Sequence, residues 1–210
     1  KYRLQEIRPL MLAEIFRKAK EERGPGPAVH ARELVLLVYR YAIGQGVDVT
    51  NPVDSIQRKT IATFKARERN LTRHEIKEFF EALQETATAP TLRLAVKFML
   101  LTGVRKSDFI GATWKEVNWE RSVWVIPGVR MKTGREHRVF LSEQALDILT
   151  TLKACFPAAT HFHPGRYEFD EPISNATLNR TIDAAVKQIK HRRGEDLDEF
   201  EGFSVHDLRR

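Results

Sequence analysis

A helix that is apolar nearly all the way round leaves few choices of fold. Pro90 opens such a helix, Leu92, Ala95, Val96, Met99 and Leu100 spread around it, and Gly103 stops it. Other elements must wrap a segment of that kind, so it sets the centre of a core. Arg105 stands just past the stop, and two short runs of strand character follow, Val123 to Pro127 and Arg138 to Leu141. The turn between them is strongly basic, with Arg130, Lys132, Thr133, Gly134, Arg135 and Arg138. Packing accounts for the apolar flanks but not for the cations at the helix break and in the turn. Those require an anionic partner.

Helices dominate the rest of the chain. Pro9 starts one that runs to about Arg23, with Leu12, Ile15, Phe16 and Ala19 on one face. A second is expected from Ala28 to Ile43, with Leu34, Leu37, Val38 and Tyr41 as its core stripe, stopped by Gly44 and Gly46. Residues 57–70 are polar and basic with little helical stripe; they read as a linker in which Arg58, Lys59, Lys65, Arg67 and Arg69 can meet phosphates, the alternative being a solvated loop. Thr72 to Glu75 forms a capping box with Leu71 and Ile76 as its staple, and Ile76, Phe79, Phe80 and Leu83 face inward. Ser142 and Ser174 cap two further helices, the second with Leu178, Ile182, Val186 and Ile189 in line. A last helix is expected from Ser204, with Asp207 at the box position. The expected fold is therefore mainly α with a small antiparallel β-sheet (α+β). It divides into a partial helical domain at 1–56, a basic linker at 57–70 and a second domain at 71–210.

The net charge of +7 is unevenly placed. Residues 1–70 carry 14 Lys and Arg against 8 Asp and Glu, whereas residues 71–210 carry 21 against 20. The first third can offer a general phosphate-binding surface, and the remainder only focused positive spots. A single cysteine, Cys155, excludes an internal disulfide and reads as a buried small hydrophobe in an apolar helical run. The best membrane-span candidate is interrupted by Arg93 and Lys97. His161 and His163 flank Phe162 without a third ligand type nearby, so they are read as loop residues and not as a metal site. Trp114, Trp119 and Trp124 are read as core and hairpin packing.

His206 and Arg209 stand three apart at a helix start and so share a face. That spacing alone is weak, but with Arg105 and Lys132 it makes a kit for phosphodiester chemistry. Two guanidinium forks can hold both non-bridging oxygens of one phosphate and stabilise the added charge of a pentacoordinate transition state. Lys132 on the hairpin can protonate a leaving 5′ oxygen, and His206 can assist proton transfer.

These motifs resemble those of the tyrosine recombinases, the phage-type integrases. The run from Thr102 to Asp108 (TGVRKSD) resembles the box of the first catalytic arginine, which implies that role for Arg105. The run from Arg130 to Ser142 (RMKTGREHRVFLS) resembles the family hairpin and implies that Lys132 is the general acid. The run from Ser204 to Arg210 (SVHDLRR) resembles the H-x-x-R box, implying His206 and a second arginine at Arg209. Arg40 to Pro52 is similar to the end of the family's core-binding domain. Asp108 stands where the family usually has glutamate and is implied to hold Arg105, while Phe140 and Val205 replace common prolines. Arg130, Arg135 and Arg138 join Arg58, Lys59, Lys65, Arg67 and Arg69 as the expected DNA-binding set.

The resemblance implies a core-binding domain and a catalytic domain clamped around double-stranded DNA at attachment-type sites. The reaction would be metal-free, cofactor-free strand exchange through a 3′-phosphotyrosyl link, carried out by a homotetramer on synapsed DNA and a monomer or weak oligomer without it. The setting would be the bacterial cytoplasm at the nucleoid, with no membrane partner. The family's nucleophilic tyrosine lies well past the H-x-x-R box; Tyr2, Tyr39, Tyr41 and Tyr167 do not occupy that place. The chain is therefore expected to be part of a longer protein and not to cleave DNA by itself. A type IB topoisomerase-like enzyme and a non-catalytic DNA-binding remnant are the alternatives.

Overall fold

The computed structural model describes residues 2–64, 70–194, 202–205 and 207–209, with the side chain of Arg209 outside that description. The chain divides into two compact units, Lys1–Arg67 and Glu68–Arg210. In the first, α1 (Pro9–Arg23) and α2 (Pro25–Gly44) pack on each other. Gly24 joins them at φ 91°, a conformation that favours glycine, and Pro25 starts the next helix at once. Leu12, Phe16, Val29, Leu36, Val53 and Ile61 form the core, and the buried Tyr39 donates its hydroxyl to the Leu4 carbonyl at 2.7 Å.

Two expectations change here. Leu34, Leu37, Val38 and Tyr41 are exposed, as is Ile15 on α1. The C-terminal half of α2 is apolar on both sides, so periodicity marks two equivalent stripes, and α1 takes the one through Val29, Leu36 and Tyr39. The stretch 57–70 is not a plain linker either. Arg58–Ile61 makes a short helix, α3, that buries Ile61 in the first unit's core. Lys65, Arg67 and Arg69 lie outside the described residues.

The second unit holds α4 (Arg73–Glu85), α5 (Pro90–Thr102), α6 (Lys106–Ile110), α7 (Glu143–Cys155) and α8 (Asn175–Arg193) around the expected small sheet. Its strands β1 (Val117–Asn118), β2 (Val123–Ile126) and β3 (His137–Phe140) are antiparallel in the order β1-β2-β3, with Trp124 opposite Val139 and Ile126 opposite His137. The capping box at α4 is complete. The Glu75 amide donates to Thr72 Oγ1 at 3.2 Å, and the Thr72 amide to Glu75 Oε2 at 2.8 Å. Helix α5 is central, burying Ala95, Val96, Phe98 and Met99. Phe98 meets Phe109, Trp124 and Phe162 at ring-centroid separations of 5.8, 5.9 and 6.0 Å, an aromatic hub that locks helix to sheet.

Helix α7 packs on α5, and α8 packs on α4, α5 and α6. Arg193 grips Glu78 through both carboxylate oxygens, and Arg192 pairs with Glu85. Cys155, expected to be buried, ends α7 and is exposed. Trp114 and Trp119 stack 6.4 Å apart, with the Lys153 ammonium 5.0 Å from the Trp119 ring. Among the described residues no helix is long and apolar enough to cross a membrane.

Candidate phosphate-binding site

The site begins where α5 stops. Gly103 adopts the left-handed conformation, φ 62°, and its amide closes the helix on the Met99 carbonyl at 2.9 Å. The chain then turns so that Val104 enters the core and Arg105 becomes the N-cap of α6, with extended backbone. Asp108, three residues on, accepts the Arg105 backbone N–H at 3.3 Å. The same oxygen lies 3.9 Å from a guanidinium nitrogen of Arg105. The two side chains differ sharply in exposure, 7% for Asp108 and 50% for Arg105. A shielded carboxylate thus backs an arginine whose outer donors face solvent, an arrangement suited to an anion arriving from outside.

The loop between β2 and β3 carries the other cations. Its shape is set at the base: a Cβ on Gly128 would stand 2.3 Å from the Gly134 carbonyl oxygen, so only glycine permits that approach. Gly134 has φ 70° and donates its amide to Met131 at 3.0 Å. Lys132 sits at the exposed tip of this closed loop, and Arg135 is exposed beside it. Arg138 is also exposed and donates to Glu136 Oε1 at 2.8 Å, a bond that solvent keeps weak.

Arg130 departs from the expected DNA-binding set. Its guanidinium turns inward, donating to the Asp108 carbonyl at 3.1 Å and to Glu116 Oε2 at 2.5 Å. Only 24% of its side chain is exposed. The pattern of cations in the hairpin could not reveal this, because Glu116 lies outside the hairpin and reaches Arg130 only through the tertiary fold.

The chain's end supplies the second basic segment. Ser204 donates its amide and hydroxyl to Asp207 Oδ2 at 2.8 and 2.9 Å. A 3-10 turn, Asp207–Arg209, stands where a longer helix start was expected. Val205, Asp207 and Leu208 are buried, and the turn packs on α5, the same helix that ends at Gly103. Arg209 lies in that turn, and His206 falls outside the described residues.

Arg105 at the N-cap of α6, Lys106 and Ser107 from that helix, Asn175 and Asn179 from α8, and Ser204 and Val205 line one open depression of about 630 Å³. The Lys106 ammonium donates to Asn179 Oδ1 at 2.7 Å. Lys106, Asn175 and Asn179 were not singled out in the sequence, although the i, i+4 spacing of the two asparagines on α8 places them on one face. Gly111 and Glu116 were missed as well.

In the first unit, Arg58 lies over the Phe64 ring, 5.6 Å from its centroid, and Lys59 is exposed. His163 is held between Thr91 Oγ1 and the Pro164 carbonyl, and burial pushes its imidazole pKa down. Among the described residues no group of three or more His, Cys, Asp or Glu side chains could hold a metal ion.

Residues 69–210 match the model of the phage integrase family. The integrase of Shigella phage Sf6 is 28% identical over 202 residues, covering 95% of this chain and 50% of that protein. A lambda integrase tetramer bound to a Holliday junction superposes with a TM-score of 0.73 at 22% identity, covering 98% of this chain and 58% of that one. The Tn1549 transposon integrase in complex with transposon right end DNA gives 0.76 at 16% identity, covering 100% and 72%. At these identities the structural likeness is one of fold. The chain spans about half the length of the curated relatives it matches.

Proposed function

The chain belongs to the phage integrase family, and from that premise we propose that the intact protein is a site-specific DNA recombinase of a prophage or mobile element. The observation that carries this reading is the placement of Arg105. It caps α6 directly after the Gly103 stop, is backed by the shielded Asp108, and shares a depression with Ser204 and Val205 at the start of the H-x-x-R segment.

In this reading Arg105 and Arg209 bind the non-bridging oxygens of the scissile phosphate and stabilise the pentacoordinate transition state. Asp108 holds Arg105 in place. A tyrosine attacks phosphorus and its proton passes to a base, a role for which His206 is placed by the motif. The 5′ oxygen leaves with a proton from Lys132, so that a 3′-phosphotyrosyl bond forms as the phosphodiester bond breaks. The 5′ hydroxyl of the partner strand reverses the step and displaces the tyrosine.

We assign the nucleophile to a tyrosine C-terminal to Arg210. Tyr39 is unsuited, because its hydroxyl donates to the Leu4 carbonyl and burial raises its pKa. Arg58, Lys59, Lys65, Arg67, Arg69, Arg135 and Arg138 contact DNA phosphates, and the protein works as a tetramer on paired double-stranded sites in the bacterial cytoplasm. The first unit is the end of a core-binding domain and the second a catalytic domain.

The test is a nicked duplex carrying the protein's own site, in which the short cleaved strand diffuses away and traps the covalent intermediate. The intact protein should form a denaturant-resistant adduct that protease digestion shortens to a tyrosine-linked peptide. Folded, DNA-bound protein without an adduct would overturn the reading.

A further inference from the structure

The cation that does not face solvent is the informative one. We propose that Arg130 is a positioning residue that locks the loop carrying Lys132 onto α6, and so sets Lys132 relative to Arg105. The proposal rests on the roles assigned above to Lys132 and Arg105.

The Arg130 guanidinium bonds to two elements, and through the second it reaches a third. Nη1 donates to the Asp108 carbonyl, so it grips the backbone of the residue whose side chain backs Arg105. Nη2 donates to Glu116 Oε2, and that same oxygen accepts Trp124 Nε1–H at 2.8 Å. Trp124 is fully buried in β2, at the aromatic hub. Glu116 is itself only 11% exposed. Arg130 therefore links α6, the turn that precedes β1 and the centre of the sheet.

The seat is shaped for this guanidinium. A Cβ on Gly111 would lie 2.6 Å from Arg130 Nη1. Gly111 has φ −84°, which any residue adopts, so a side chain there would not strain the backbone but would push the tip of the Arg130 guanidinium from its seat. On the other side the loop is closed on itself. The Gly128–Gly134 approach closes its base, and the Gly134 amide holds Met131. Lys132 stands two residues from Arg130, so fixing Arg130 fixes the loop that presents Lys132.

Stability alone is a poor reason for the arrangement. Among the described residues no acceptor meets the buried Nε of Arg130, and shielded ion pairs are often replaceable by apolar side chains without loss of stability. What the pair supplies is a defined geometry, held by two directional bonds on a planar fork.

The test uses the intact protein and the nicked duplex, made with either oxygen or sulfur as the 5′ bridging atom at the scissile phosphate. A thiol has a pKa near 8.5 and leaves without a general acid. Lys132→Ala should be slow on oxygen and recover on sulfur, whereas Arg105→Ala should be impaired on both. Arg130→Ala should follow the lysine pattern, losing at least about tenfold on oxygen and returning to within a few-fold of wild type on sulfur.

Equal loss on both substrates, or no loss on oxygen, overturns the proposal. If Arg130→Ala does not fold by circular dichroism, Arg130→Lys and Glu116→Gln are read by the same oxygen-to-sulfur ratio, and the same outcomes decide. Failure of sulfur to rescue Lys132→Ala would instead remove the general-acid role on which the proposal stands.

Discussion

Asp108 holds Arg105 at two points through one carboxylate oxygen, 3.3 Å from its backbone nitrogen and 3.9 Å from its guanidinium. The first contact caps α6, and the second sets a shielded carboxylate beside the half-exposed guanidinium that lines the depression. The carboxylate reaches the cap because Asp108 stands on the N3 position of the same helix.

Asp108→Asn should keep the volume and much of the cap while removing the charge. We expect a modest loss of stability, about 1 kcal/mol by denaturant unfolding, together with slower cleavage at unchanged DNA affinity. Asp108→Ala should cost more stability, because the cap is lost outright. Cleavage by Asp108→Asn at the wild-type rate would show that Arg105 needs no carboxylate behind it.

The ion pair between α4 and α8 makes stability depend on pH. Hydrogen bonding from Arg193 holds the Glu78 carboxyl below the usual carboxylate range. A group whose folded pKa is lowered stabilises fully above its unfolded value, near 4.3, and loses that contribution as pH falls through the folded value. Glu78→Gln should therefore lower stability at pH 7 by about 2 kcal/mol, with the difference from wild type shrinking as pH falls through the lowered folded value. A difference independent of pH would mean that the Glu78 charge is not what matters.

Arg58 and Lys59 are expected to meet phosphates without reading bases. Removing each should weaken binding to specific and non-specific duplexes alike and reduce the slope of log K against log salt by about 1 per residue. An unchanged salt slope would place both outside the DNA contact.

The structure follows the sequence where the signal is local. The Thr72–Glu75 box, the Gly103 stop, the Ser142 and Ser174 caps and the antiparallel pairing of β2 and β3 are each set by residues a few positions apart. What could not be read depends on tertiary choice. Helix α2 is apolar on both sides, and only the position of α1 decides that Val29 and Leu36 go inside while Leu34 and Leu37 do not. Arg130 looks like its cationic neighbours in sequence, yet Glu116, 14 positions earlier, draws it inward. Cys155 lies in an apolar run but on the last residue of α7, where the packed face has ended. The aromatic hub needed Phe98 and Phe162, which no periodic pattern joins.

The most direct test of the account is Arg105→Ala in the intact protein, with cleavage of the nicked duplex and equilibrium DNA affinity measured side by side. A guanidinium acting on the transition state should be missed mainly in the chemical step. The account predicts loss of cleavage by at least about three orders of magnitude, with affinity falling by less than about tenfold. Equal losses in the two measurements would make Arg105 a binding residue only and contradict the account.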